Sequence, residues 1–278
     1  MNGVIARKLA CPDDLGTLDL VDDRLRCVLC RREFSASDGV FDLLALQSLL
    51  ADSPEVERLR SYNATYSGRP DRAWLQPLRV LIAELGNRYL YSWAARSIDD
   101  IAKGRSLDIL DAACGDGILR RHIASRHHYV GVDFSARPLV RAARYYPADY
   151  FRGDLNHLPL ADASFDVAIS LQSFQYLDAP ATAIRQIARV LKPGGHFLLT
   201  VPNRGSFKYR RQGLPAIQRQ KFDRETVRDL LSPDFQVQEI AARGVWLPFP
   251  KIGIHLPGTY RDSLGLSWTA VSERLAGT

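Results

Sequence analysis

The sequence predicts an α/β protein built on a doubly wound, mostly parallel sheet. Three observations carry that expectation. From Ser106 onward, short apolar strands alternate with helical segments. The first strand runs into a glycine-bearing loop, Asp111-Ala112-Ala113-Cys114-Gly115-Asp116-Gly117. An aspartate also stands at the end of each of the first three strands: Asp111, Asp133 and Asp154.

The elements follow in order. Leu107, Ile109 and Leu110 make a short strand, and Asp116 to Ala124 reads as the helix after it. Tyr129-Val130-Gly131-Val132 is the second strand, followed by a helix over Arg137 to Tyr145. Asp149 to Phe151 is a brief third strand and Phe165 to Ser170 a fourth, with a helix from Ala181 to Leu191. Lys192-Pro193-Gly194-Gly195 reads as a tight turn into a fifth strand, His196 to Val201. Beyond Pro202 an Arg-rich stretch to Lys221 shows no period. A helix over Arg224 to Leu231, a strand over Phe235 to Ile240 and a last strand over Leu266 to Val271 complete the sheet. The tail carrying Pro248, Pro250, Pro257 and Gly258 reads as loop.

Two zones precede the alternating part. Residues 1–45 form a cysteine-bearing segment of turns and short β pieces. Residues 46–104 form a helical linker or lid, in which Trp74, Leu78, Leu81, Ile82 and Leu85 recur at helical spacing. Residues 105–278 are the nucleoside-binding domain, with a substrate cap around 203–222 and 246–262.

The 278 residues are 46% hydrophobic and 24% charged, which is ordinary for a globular protein. No apolar run approaches the ~20 residues of a membrane span. Met1 to Lys8 has no apolar stretch before Cys11, so a cytoplasmic protein without a signal peptide is expected. The net charge of +6 comes largely from arginine. It suits a solvated surface, with an anionic partner such as RNA as the alternative.

Glycine in the loop permits positive φ and close approach of a ligand to the backbone. The dinucleotide spacing G-x-G-x-x-G is absent; Ala113, Gly115 and Gly117 alternate instead, which suits a nucleoside without phosphates. Asp133, sixteen residues past Gly117, can accept two hydrogen bonds from a ribose diol, and Asp154, followed by Leu155, one from an adenine amine.

Together these segments resemble the class I S-adenosylmethionine-dependent methyltransferases (methyltransferase type 11-like), whose fold is Rossmann-like with a seven-stranded sheet. The residues that carry the resemblance are Ile109 to Gly117, Val132-Asp133-Phe134-Ser135, Gly153-Asp154-Leu155 through Leu160, Ser164 to Val167 and Val190 to Gly195. The resemblance implies S-adenosylmethionine as cofactor and S-adenosylhomocysteine as product. By that likeness Asp111, Ala112, Ala113, Cys114, Gly115 and Gly117 face the methionine part. Asp133, Phe134 and Ser135 face the ribose, Asp154 and Leu155 the adenine, and Ser170 and Leu171 the sulfonium. Tyr62 and Tyr66 resemble tyrosines that close over the cofactor, with core packing as the other reading. Ala113 departs from the family, which usually has glycine there.

Many relatives carry histidine after the fourth strand; here the run is Leu171-Gln172-Ser173-Phe174-Gln175-Tyr176. Glutamine cannot act as a base near pH 7. Gln172, Gln175, Tyr176 and the loop residue His157 are the candidates for the acceptor pocket, and no catalytic base is assigned. His122, His127, His128 and His196 read as structural, and His255 as a loop residue.

Cys11 with Asp14, and Cys27 with Cys30, form two knuckle-like pieces separated by the fifteen positions Pro12 to Arg26. That pattern reads as a zinc ribbon with a carboxylate in the second ligand position, or as a ribbon that has lost its metal. The order Cys-Pro-x-x, Cys-x-x-Cys, Phe34 and Asp38 to Phe41 resembles the Trm112-like zinc-ribbon family. A ribbon before the same fold also occurs in ribosomal RNA guanine methyltransferases, a similarity of architecture only.

The leading expectation is a methyltransferase acting on a small, largely apolar acceptor, with Phe207, Tyr209, Leu214, Trp246 and Phe249 in the cap. One alternative is an RNA methyltransferase that grips phosphates with Arg204, Lys208, Arg210, Arg211, Arg219 and Lys221. The other is a protein that binds the cofactor without transferring methyl, as a partner subunit or an enzyme of another reaction. The oligomeric state stays open, a homodimer being one option.

Overall fold

The computed structural model describes residues 8–50, 76–213, 218–249 and 252–276, with side chains left undescribed at 49–50, 76–86 and 246–257. Tyr62, Tyr66 and Leu214 lie outside the described residues, as do the side chains of Trp246, Phe249 and His255.

The chain begins with a small antiparallel sheet of β1 (Leu18–Val21), β2 (Arg24–Cys27) and β3 (Glu33–Phe34). A hairpin of β4 (Ala36–Ser37) and β5 (Val40–Asp42) follows, then α1 (Leu46–Leu50) and the long α2 (Gln76–Ala102). The alternating part supplies β6 (Asp108–Ala112), β7 (His128–Asp133), α3 (Ala136–Tyr145), β8 (Asp149–Arg152) and β9 (Phe165–Leu171). It continues with α4 (Pro180–Val190), β10 (Leu191–Pro202), α5 (Phe207–Gln212), α6 (Arg224–Leu231), β11 (Phe235–Phe249), β12 (Ile252–Tyr260) and β13 (Gly265–Arg274).

The main sheet has ten strands in the order β12-β11-β13-β10-β9-β6-β7-β8-β5-β4. Its seven central strands, β11 to β8, are the doubly wound sheet that the sequence predicts. β6 through β10 pair in parallel, and β13 runs antiparallel between β10 and β11. Alternate residues feed two cores: Leu110 and Ala168 join α4 and α6 on one face, while Ile109, Val167 and Ile169 join α2 and α3 on the other. Such a sheet, covered on both faces, explains why its strands read as continuous apolar runs. The strand order reverses between β6 and β9, and a crevice opens there beyond the carboxyl ends.

Four expectations change. Asp116 to Ala124 is not an α-helix: only a 3-10 turn over Ile118–His122 forms, because Ile123 turns extended to bury its side chain, and Arg120 Nη1 closes the turn on the Ile123 carbonyl at 2.7 Å. The tail carrying Pro248, Pro257 and Gly258 is not a loop but belongs to β11 and β12, with Trp246 paired to His255, while Pro250 lies outside the described residues. Pro257 and Gly258 fall at the register shift between Arg243 and Val245, where a missing amide breaks no ladder bond. The Arg-rich stretch contains α5, whose first turn is capped by the Ser206 hydroxyl accepting from the Tyr209 amide. The fourth change is that the sheet does not stop at residue 45, since β5 pairs in parallel with β8 through Phe41 and Phe151. Meanwhile α2 is part of the core, where Trp93, Ala94, Ile98 and Ala102 are buried. The predicted turn before the fifth strand is present as a four-residue excursion, Lys192 to Gly195, between the Leu191 and His196 pairings to β9.

Candidate functional site

A cavity of about 320 Å³ lies beyond the carboxyl ends of β6 to β9, within the size range of small-ligand sites. The loop after β6 forms its floor. Ala113 and Gly115 adopt left-handed φ of 68° and 53°, which turns the chain sharply without filling the space above it. A Cβ at Gly115 would meet nothing within 4 Å. At Gly117 a Cβ would lie 2.7 Å from the Ala142 side chain and 2.9 Å from the Tyr150 hydroxyl, so that glycine lets the loop settle onto α3.

Of the predicted residues, Asp111, Ala113, Cys114, Gly115, Asp133, Phe134, Ser135, Asp154, Leu155, Leu171, Gln172 and Tyr176 line this cavity. Ala112, Gly117, Ser170, Gln175 and His157 do not. Ala112 is a buried strand residue, and Ser170 is sealed beneath the floor, donating to its carbonyl at 2.7 Å. Gln175 is buried and donates to the Gln172 carbonyl at 2.7 Å, while its own carbonyl accepts from the Arg219 and Gln220 amides. His157 stands behind Asp154, Nδ1 to Oδ2 3.4 Å. Sequence reasoning missed Tyr91, Ile118, Leu119, Pro138, Ser173 and Leu177, which also line it. The apolar ones carry no motif and are brought in by folding alone.

Asp133 is held by its neighbours: Oδ2 accepts from the Gly115 amide at 2.8 Å and Oδ1 from the Ser135 amide at 2.8 Å. Burial raises its pKa against these bonds. Asp154 is treated differently. Burial would raise it, but bonds from His157, the Asn156 amide and the Ser48 hydroxyl together hold it below the usual carboxylate range. Asp111 is buried, accepts from the Tyr129 hydroxyl, and is pushed up to about 7, chiefly by desolvation and further by Asp133. Burial also pushes the Cys114 thiol up. Gln172 has φ of 56°, costly for a side-chain-bearing residue. It is held there by bonds from its amide to the Thr200 carbonyl at 3.0 Å and from Nε2 to the Ser267 hydroxyl at 3.2 Å.

Among the described lining residues four are aspartates and none is Lys, Arg or His. Asp116 is paired with Arg141, leaving Asp111, Asp133 and Asp154. A phosphate would be repelled; a nucleoside bearing a cationic sulfonium fits the charge, the hydrogen-bond acceptors and the apolar walls of Phe134, Pro138 and Leu155.

The cysteine cluster forms a second site. Donor atoms of Cys11, Asp14, Cys27 and Cys30 all lie within 4.8 Å of one another. The two knuckles share one geometry. The Leu15 amide bonds the Cys11 carbonyl at 2.9 Å and the Arg31 amide the Cys27 carbonyl at 3.1 Å. Leu15 and Arg31 are both left-handed, with φ of 59° and 66°. Asp14 thus occupies in the first turn the place of Cys30 in the second. The Gly16 amide holds the Asp14 carboxyl down at about 2.

Residues 110–199 match the family model described as a methyltransferase domain. A malonyl-[acyl-carrier protein] O-methyltransferase of Erwinia pyrifoliae is 37% identical over 115 residues, 41% of this chain and 44% of its own length. An O-methyltransferase of Aspergillus nomiae is 36% identical over 34% of this chain and 46% of its own. The chain thus spans less than half the length of these relatives. In fold it is similar to a SAM-dependent methyltransferase of Thermotoga maritima, with a TM-score of 0.53 at 20% identity over 69% of this chain and 93% of that one. It is also similar to a chain from the complex between the Haloferax volcanii Trm112 methyltransferase activator and a methyltransferase, with a TM-score of 0.52 at 20% identity over 73% and 97%. Residues 110–199 are therefore a methyltransferase domain, set in the Rossmann-like fold of the SAM-dependent methyltransferases.

Proposed function

We propose that this chain transfers a methyl group from S-adenosylmethionine to an oxygen of a small-molecule acceptor. The observation that supports this most is the carboxylate-lined cavity at the reversal of strand order, which has no Lys, Arg or His among its described lining residues. The bound cofactor supplies a methyl already activated by its sulfonium. Asp133 would accept from the ribose diol and Asp154 from the purine amine, while Asp111, Ala113 and Gly115 border the methionine part. Leu171, Gln172, Ser173, Tyr176 and Tyr91 would then shape the acceptor end. Tyr176 and Gln172 offer hydrogen bonds that orient an acceptor, and the apolar walls exclude water, so positioning carries much of the rate. Two relatives are named O-methyltransferases, which favours oxygen as the accepting atom.

The basic stretch gives RNA less support than its composition suggests. Arg204 pairs with Asp223 and Arg219 with Asp178, leaving Arg210, Arg211 and Lys221 exposed and Lys208 half-buried. For the cysteine cluster we propose one zinc held by three thiolates and the Asp14 carboxylate. The four cysteines are free thiols, which fits a reducing cytoplasmic compartment, and no described helix is long and apolar enough to cross a membrane.

Incubation with methyl-labelled cofactor and a panel of small hydroxyl and carboxyl compounds tests the reading. Labelled small-molecule product is expected. Label entering RNA instead, with affinity that falls steeply with salt, would favour the RNA reading. Tight cofactor binding with no product from any acceptor or from cell extract would favour a protein that does not transfer methyl.

A further inference from the structure

Asp154 depends on a donor 106 residues away: the buried Ser48 hydroxyl, 2.7 Å from Oδ2. Ser48 sits in α1, a single short turn of helix that is fixed from the knuckles. Asp13, inside the first knuckle, accepts from the Leu46 amide at 2.7 Å with Oδ1 and from Arg32 Nη1 at 2.5 Å with Oδ2. Arg32, two residues past Cys30, gives Nη2 to the Leu44 carbonyl at 2.9 Å and lies over the Phe34 ring. One ion pair therefore holds both ends of the step into α1.

The loop carrying Asp154 is gripped again farther along. The Ala10 amide bonds the Pro159 carbonyl at 3.1 Å, and the Ala161 amide bonds the Lys8 carbonyl at 2.8 Å. Leu9 and Cys11 share one core with Leu155, Leu158 and Leu160.

These bonds leave Asp154 a defined capacity. Oδ1 takes the Asn156 amide at 2.8 Å, while Oδ2 takes the Ser48 hydroxyl at 2.7 Å and lies 3.4 Å from His157 Nδ1, so Oδ1 keeps one lone pair for a further donor. A serine inside a helix commonly points to solvent or returns its hydroxyl to the backbone of the preceding turn. This one is directed to the cavity carboxylate instead.

We propose that Ser48, with Asp13 and Arg32 behind it, positions Asp154 to read the amino edge of a purine, so that the N-terminal segment sets the nucleoside selectivity of the cavity. This rests on the cofactor reading above. Ser48, Asp13 and Arg32 are positioning residues; Asp154 makes the contact.

Calorimetric titration with S-adenosylhomocysteine and with S-inosylhomocysteine, whose purine bears a carbonyl in place of the amine, tests it. The unaltered protein should prefer the adenosyl compound by about tenfold or more. Ser48→Ala should weaken the adenosyl compound about tenfold and the inosyl compound less than twofold, collapsing the preference. Arg32→Ala should act in the same direction more weakly, and it carries the test should Ser48→Ala fail to fold by thermal melting. Equal weakening of both compounds, or no change in either, overturns the proposal while leaving the cofactor reading intact. Failure of the unaltered protein to bind the adenosyl compound overturns the cofactor reading itself.

Discussion

The two carboxylates proposed to hold the nucleoside are supported in opposite ways. Asp133 is bound by the amides of Gly115 and Ser135, within the loops that the strand ends themselves create. Asp154 takes one local amide and the neighbouring His157 imidazole, and in addition a hydroxyl from a helix attached to the cysteine-bearing segment. Local backbone support is written into any chain that makes the turn. Remote side-chain support requires a second element to be folded and docked. The proposed ribose side would therefore be intrinsic to the doubly wound sheet, and the proposed purine side shared with the N-terminal segment.

The largest expected effect separates these sides by way of the proposed metal. Purified protein should carry about one zinc per chain, and a strong chelator should raise hydrogen exchange in β1 and β2 while leaving β7 protected. Under half an equivalent after expression with added zinc would contradict the metal assignment.

Next in size is Gly117→Val. A side chain there meets Ala142 and Tyr150 at a φ of 69° and should cost about 3 kcal/mol of stability in urea titration. A cost under 1 kcal/mol would mean that the loop does not seat on α3.

Asp133→Ala should reduce S-adenosylhomocysteine affinity about a hundredfold, since it removes two hydrogen bonds to a charged acceptor. An unchanged dissociation constant would refute the ribose assignment.

Asp111 gives a pH signature. Its pKa is raised to about 7 in the native protein, so the fold binds this proton more tightly than the unfolded chain does. The stabilisation is full below the ordinary pKa near 3.8 and is lost as pH rises through about 7. Asp111→Asn should flatten the decline in stability between pH 4 and 8; a slope equal to that of the unaltered protein would contradict the burial argument. The smallest effect belongs to Ala113→Gly, which relieves the left-handed alanine and should stabilise by about 0.5–1 kcal/mol.

The sequence disclosed the Asp133 end of the cavity well and the Asp154 end only in part, for the same physical reason. Asp111, Gly115, Asp133 and Asp154 are recognisable because loop conformation and strand-end position demand those residue types at nearly fixed spacing. The parallel strands were legible from apolar runs, and the seven central strands form the doubly wound, mostly parallel sheet that was expected. Ser48 carries no such mark: its role arises from a contact across 106 positions, and a lone serine after a glutamine looks like any surface residue. The β11–β12 hairpin was hidden by prolines that read as loop; Pro257 is tolerated at the register shift, and Pro248 pairs with Gly253 beyond the point where β11 still pairs with β13. The region from Asp116 to Ala124 misled in the other direction, its apolar spacing satisfied by a 3-10 turn. That β5 would extend the sheet beyond β8 was not legible either, since three residues fix too little pattern to reveal a partner.

A crystal structure with S-adenosylhomocysteine bound tests the central claim most directly. The ribose diol is expected on Asp133, the purine amine on Asp154 beside Leu155, and the sulfur open toward Gln172 and Tyr176. Ligand seated elsewhere, or with its purine away from Asp154, would contradict it.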